Sequence, residues 1–214
     1  LSRKEAKEWV QAARDSGQTP IKRDVLLAVE NMARAIEDGL AERQIEIDRR
    51  NSELTAIAQI DGVWCRAMID NVAMDDPAAP LSDLKTTTDV APAALERAVA
   101  RYGYDVQAQH YREVWHAATG EWRPFRFWFV EKTPPHAVNT LTLTADYLEF
   151  AASKLAYARR RWAECLAADE WPAYPPVDVH LGPKHWDVER WLDFLQAGKD
   201  LPPPPGHDLI TEPN

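Results

Sequence analysis

Gly62-Val63-Trp64-Cys65-Arg66-Ala67-Met68-Ile69-Asp70, followed by Pro80-Leu81-Ser82-Asp83-Leu84-Lys85-Thr86-Thr87-Thr88, is the stretch whose reading decides the fold. The first segment reads as a strand ending on an aspartate, and the second as a shorter strand opening into a threonine turn. Side chains two apart on a strand share a face, so Asp83 and Lys85 are expected to project together while Leu84 points into the fold. If the two strands pair, Asp70 can stand opposite Asp83, giving two carboxylates with an ammonium beside them. Such a group is costly to assemble without a bound cation, and it is a usual way to hold Mg²⁺ or Mn²⁺. The Asp-x-Lys spacing also suits a solvent-facing ion pair of little worth. Spacing alone leaves both readings open.

Outward from this stretch, residues 53–60 alternate Leu54, Ala56 and Ala58 against Glu53, Thr55 and Ile57. Asp61-Gly62 is a hairpin signal joining that strand to the one ending at Asp70. Residues 1–16 and 22–39 carry apolar positions at helical spacing, with Gly39 read as the stop of the second helix. Residues 71–80 form a loop with two prolines. Pro92 opens a helix to about Arg101, and after Tyr102-Gly103-Tyr104 a second helical segment runs to about Ala118. Residues 125–132, Phe-Arg-Phe-Trp-Phe-Val-Glu-Lys, are nearly continuous in apolar residues, as a central strand covered on both faces should be. A long helix follows over 144–168 and a short one over 186–195. The extended segment 171–176 is expected to pack back on the core through its aromatics. The order predicts an α/β domain, a mixed central sheet flanked by helices. One domain is expected over 1–200, its core about 50–175 with N-terminal helices over 1–39, and 201–214 reads as an exposed proline-rich tail.

The chain has 214 residues, 45% hydrophobic and 28% charged, with a formal net charge of −9. That balance argues against a generally basic protein that coats DNA without specificity. An acidic protein can still focus positive charge in one groove. Two cysteines are too few for a disulfide scaffold or a four-cysteine iron–sulfur cluster. No run of 18 apolar residues suggests a membrane span, and a cytoplasmic location is expected.

The chemistry concentrates on Asp70, Asp83 and Lys85. Asp70 and Asp83, helped by the Leu84 backbone carbonyl, could hold one or two divalent ions that orient a water and neutralise charge building on a phosphate. Lys85 could steer that water or contact the phosphate. Gln107 and Tyr111 lie four apart on one helix face, with Tyr104 close to it, and could reach back to the site. The plainer reading of that face is half-buried packing. Arg66, Arg97, Arg101, Lys154 and the run Arg159-Arg160-Arg161 are candidate phosphate contacts. The run suits an ion-pair surface better, and DNA contact is expected above all at Arg97 and Arg101.

The blocks 62–70, Ser82-Asp83-Leu84-Lys85-Thr86-Thr87, 102–111, Phe127-Trp128-Phe129-Val130-Glu131-Lys132-Thr133-Pro134-Pro135 and Trp171-Pro172-Ala173-Tyr174 together resemble the nuclease domain of exodeoxyribonuclease VIII, the RecE type. These are PD-(D/E)XK nucleases with a restriction-endonuclease-like core, common in phages and prophages. The resemblance implies a Mg²⁺-dependent (or Mn²⁺-dependent) 5′→3′ exonuclease acting on double-stranded DNA ends. It leaves 3′ single strands for an annealing partner of RecT type. It further implies a ring-shaped homo-oligomer in a bacterial cytoplasm. Asp70 and Asp83 would be metal ligands, Lys85 the catalytic lysine, and Gln107 and Tyr111 the helix motif lining the site. Relatives also use a histidine on a helix upstream of the first aspartate, and this chain has no histidine before His110. The missing ligand is therefore expected to be Glu30, Glu37 or Glu53, or to lie before residue 1. The absence of an initiating Met favours the last, which would leave a nuclease-fold fragment with an incomplete site that serves as a structural or DNA-end-binding partner.

Overall fold

The computed structural model describes residues 2–197; the proline-rich tail expected over 201–214 lies outside them. The chain divides into two units, Leu1–Trp171 and Pro172–Asn214. In the first, α1 (Arg3–Asp15) and α2 (Arg23–Ala41) precede β1 (Ser52–Ile60), β2 (Val63–Val72) and β3 (Leu81–Thr87). Then come α3 (Pro92–Tyr102), α4 (Tyr104–Thr119), β4 (Phe125–Glu131), β5 (Val138–Leu141) and α5 (Ala145–Ala168). The second unit contains α6 (His185–Ala197). Among the described residues no helix is long and apolar enough to cross a membrane.

The element ends follow local chemistry. Ser2 caps α1 by accepting from the Glu5 N–H, while the Glu5 carboxylate accepts from the Ser2 N–H. Pro92 starts α3, and Gly103 at φ +68° both ends it and turns the chain into α4. The Thr144 hydroxyl accepts from the Tyr147 N–H at the start of α5.

The five strands form one mixed sheet in the order β1-β2-β3-β4-β5. β1, β2 and β3 are antiparallel in sequence, β3 and β4 are parallel, and β5 returns antiparallel to β4. A parallel pair needs a crossover, and α3 and α4 supply it. One face carries the main core, in which Ala56, Ala67, Ile69, Leu81, Phe125, Phe127 and Phe129 pack with Ala108, Val114 and Trp115 of α4. On the other face Ile36 and Leu40 of α2 meet Trp128 and Val130 of β4. The apolar run of β4 is thus explained by two covered faces. Each such buried side chain contributes roughly 1.5–3 kcal/mol.

Two expectations change. Gly39 does not stop α2, which runs on to Ala41. It is where the helix crosses β5: a Cβ on Gly39 would stand 2.8 Å from Val138 Cβ. β5 is an addition to the strands expected from sequence: its four half-buried residues, Val138–Leu141, carry too little alternation to read.

Candidate active site

The β2–β3 ladder consists of two pairs, Val72 with Leu81 and Asn71 with Ser82. Continuing that register would set Asp70 opposite Asp83, but the ladder stops one residue short. In place of a further backbone pair, Asp70 Oδ2 accepts the Leu84 N–H at 2.7 Å. The alternation of β2 also breaks here: Val63, Cys65, Ala67 and Ile69 are buried, and then Asn71 and Val72 both are. On the other side of β2 the ladder passes from Ser52↔Asn71 to Leu54↔Ile69 without a Glu53–Asp70 pair. Glu53 takes φ +53°, a left-handed backbone that a glutamate adopts only under constraint. The sheet therefore opens at Asp70, and the site lies in that opening.

Asp83 is 3% exposed. Its Oδ1 accepts from Gln107 Nε2 at 2.6 Å. Its Oδ2 forms an ion pair with Lys85 Nζ at 2.5 Å. Burial pushes the Asp83 carboxyl above the ordinary aspartate value, opposed by the Lys85 ammonium and reinforced by the charge of Asp70. Lys85 also lies over the Tyr104 ring, 5.3 Å from its centroid. Tyr104 packs on Phe127 and Phe129, the β4 residues in register with Asp83 and Lys85, so the core fixes the site from beneath. Burial pushes the Tyr104 hydroxyl up as well.

Asp83, Lys85 and Gln107 thus come together as the sequence spacing suggested, with Asp70 at their edge. Leu84 does not point inward; it is 40% exposed, because α2 covers β4 and β5 and leaves this part of the face open. Tyr111 packs edge-on against Phe125, and Tyr104 is the aromatic over the lysine. Glu30 pairs with Arg34 on the surface of α2 and Glu37 with Arg49, while Glu53 is exposed. Among the described residues no three His, Cys, Asp or Glu side chains gather where they could share a metal ion. None of the three glutamates therefore completes Asp70 and Asp83. Two carboxylates at the sheet opening, one of them paired with Lys85 and the other bonded through a single oxygen, fit a hydrated Mg²⁺ or Mn²⁺ shared with a phosphate. They do not make an all-protein cage.

The basic residues divide. Lys154 pairs with the buried Asp105, Arg159 with Asp61 and Glu113, and Arg161 with Glu164, so these serve the fold. Arg97 and Arg101 are exposed and share a cavity of about 410 Å³ with Thr87, Thr88 and Tyr102, two residues beyond Lys85 along β3. Arg101 lies over the Tyr102 ring. Sequence reasoning missed Arg123. It is 2% exposed, and its Nη1 donates to the Ala73 and Asp76 carbonyls at 2.8 and 3.1 Å, holding the loop between the two site strands. An arginine between Trp122 and Pro124 gives no signal of burial.

A family model described as a PDDEXK-like domain of unknown function (DUF3799) matches residues 3–176. A candidate exonuclease from Eubacterium rectale of known crystal structure superposes with a TM-score of 0.59 at 16% identity, over 82% of this chain and 71% of that one. A phage-related exonuclease from Haemophilus somnus 129PT aligns at 11% identity over 79% of this chain and 85% of that one, with a TM-score of 0.44. No curated protein matches the chain.

Proposed function

The chain belongs to this PDDEXK-like domain family, and from that premise we propose a nuclease-fold domain that engages DNA ends at a site with two protein carboxylates. The observation that carries the reading is the arrangement at the sheet opening. Lys85 and Gln107 each hold one oxygen of Asp83, and Asp70 stands at their edge, with no third ligand among the described residues. Arg97 and Arg101 support DNA as the ligand. Among the described residues they form no ion pair, and they flank a cavity that begins at Thr87, two residues beyond Lys85, and suits backbone phosphates. The RecE-type assignment, an annealing partner of RecT type and a ring-shaped homo-oligomer belong to the same proposal.

The two carboxylates Asp70 and Asp83, with Lys85 paired to the second, favour a second reading, metal-dependent exonuclease activity on duplex ends, 5′→3′. A divalent cation bound there would supply charge neutralisation at the scissile phosphate and a more acidic water. Asp70 and Asp83, with the Leu84 carbonyl, would hold it. Gln107 fixes the rotamer of Asp83 through the 2.6 Å bond. Lys85, held between Asp83 and the Tyr104 ring, presents an ammonium to the phosphate.

Linear duplex labelled at either end, incubated with Mg²⁺ or Mn²⁺ and with wild type or Asp83→Asn, separates the two readings. Retention of the ends with no shortening by either protein supports end binding. Shortening by wild type alone supports the exonuclease. Neither retention nor shortening overturns both.

A further inference from the structure

Trp64, Arg66, Met68 and Asp70 occupy alternate positions of β2, on the face away from the main core. Up to Asp70 no other described element of the first unit covers that face. Trp64 is 72% exposed and Met68 44%. The Arg66 side chain is exposed and, among the described residues, enters no ion pair or hydrogen bond; its backbone carbonyl is engaged by His110 Nε2 at 3.2 Å. The β1 partners across the ladder, Gln59, Ile57 and Thr55, are uncharged. A row that begins with a free indole, passes a free guanidinium and ends on a site carboxylate has a chemistry. The indole offers a face on which a base can stack, and the guanidinium offers a fork for a phosphate.

We propose that this strand face is a track for single-stranded DNA leading to or from the Asp70–Asp83 site, with Trp64 as its stacking platform. The inference rests on the DNA reading given above and extends it to a strand and a path. The indole selects a single strand, because it offers an unpaired base the stacking face that the base has lost with its neighbours. Trp64 lies six residues from Asp70, about 20 Å along the strand, so it meets a base a few nucleotides from the reacting phosphate. A duplex presents no free base face to it.

The test is fluorescence anisotropy of a labelled 12-nucleotide oligothymidylate at fixed low salt in EDTA, so that binding is read without cleavage. Stacking of one base is worth about 1–3 kcal/mol. We therefore expect Trp64→Ala to weaken binding about 5- to 150-fold, Trp64→Phe to restore most of it, and Arg66→Ala to weaken it while flattening the salt dependence. An abasic oligonucleotide of equal length should bind wild type and Trp64→Ala alike. Equal affinity of wild type and Trp64→Ala for oligothymidylate overturns the proposal, as does an abasic strand binding wild type as tightly as oligothymidylate. Self-association of wild type that Trp64→Ala abolishes without changing affinity also overturns it, and assigns the face to contact between copies. Trp64-dependent binding with duplex ends neither held nor shortened leaves this inference standing and sinks the proposed function. Ends held or cut with no effect of Trp64 does the reverse.

Discussion

Asp70 and Leu84 are joined by a hydrogen bond from backbone N–H to carboxylate, 2.7 Å long, at the point where the backbone ladder between their strands has ended. One carboxylate oxygen is thus spent on the architecture and one is left for a ligand. Asp70→Ala should lose about 1 kcal/mol relative to Asp70→Asn, which keeps an acceptor for Leu84. Urea denaturation of the two variants measures this. Both should lose any rise in Tm that Mg²⁺ gives wild type, since the charge is gone in each.

Asp83 has a second consequence, in pH. Its folded pKa lies above the ordinary aspartate value, chiefly through burial. Between those two values the folded protein binds more protons than the unfolded chain, so through this group stability falls as pH rises. Asp83→Asn removes the term. It should raise Tm at neutral pH, and the gain should shrink to nothing as pH drops below the unfolded aspartate value. Thermal melts of both proteins across that range give the sign, and a gain that persists in acid would refute the burial argument.

Gly39 predicts a steric cost. A methyl at that position meets Val138 Cβ at 2.8 Å, and overpacking of this kind costs about 1–3 kcal/mol. Gly39→Ala should be destabilised by that amount in denaturant titration, and adding Val138→Ala should recover part of it. An additive double mutant would show that the helix moves rather than the side chain.

Arg123→Met should cost about 2–4 kcal/mol, because it strips the Ala73 and Asp76 carbonyls of their donor and removes a charge-assisted bond from a buried place. Limited proteolysis should then cut within residues 73–80, where wild type resists. Unchanged resistance of that loop would assign Arg123 to packing against Trp115, over whose ring its guanidinium lies.

Glu53→Asn tests the strained backbone beside Asp70. Asparagine tolerates the left-handed conformation better, so the variant should gain a few tenths of a kcal/mol to about 1 kcal/mol. It should also bind Mg²⁺ as wild type does, since Glu53 is not gathered with the two aspartates. Loss of the ion's effect on Tm would restore Glu53 as a ligand.

Much of this architecture could be read from the chain because it rests on short-range pattern. Alternation in residues 53–60 and 62–70, the turn at Asp61-Gly62, and the apolar run of 125–132 each belong to one element and its nearest partner. Asp83, Lys85 and Gln107 came with them, two by strand period and one by helix face. What escaped depends on which layers cover which strands. Leu84 faces outward only because α2 lies over β4 and β5, and Gly39 matters only because β5 passes beneath it. Tyr104 and Tyr111 are equivalent by spacing, and the direction of α4 across the sheet chooses between them. The upstream glutamates fit as ligands by sequence alone, and the structure instead pairs Glu30 and Glu37 with surface arginines and leaves Glu53 exposed.

The two-pair ladder between β2 and β3 means that the sheet is two rafts lightly stitched together, β1–β2 on one side and β3–β4–β5 on the other. Asp70 rides on the first raft and Asp83 on the second. The gap between them is then a mechanical variable of the whole domain, braced by α4, which packs across both rafts, and by the Arg123 tie on the connecting loop. A cation gripped by both carboxylates would act as a rivet at the hinge line. Its arrival should register in slower amide exchange along residues 70–72 and 81–84, far more than at either outer edge of the sheet.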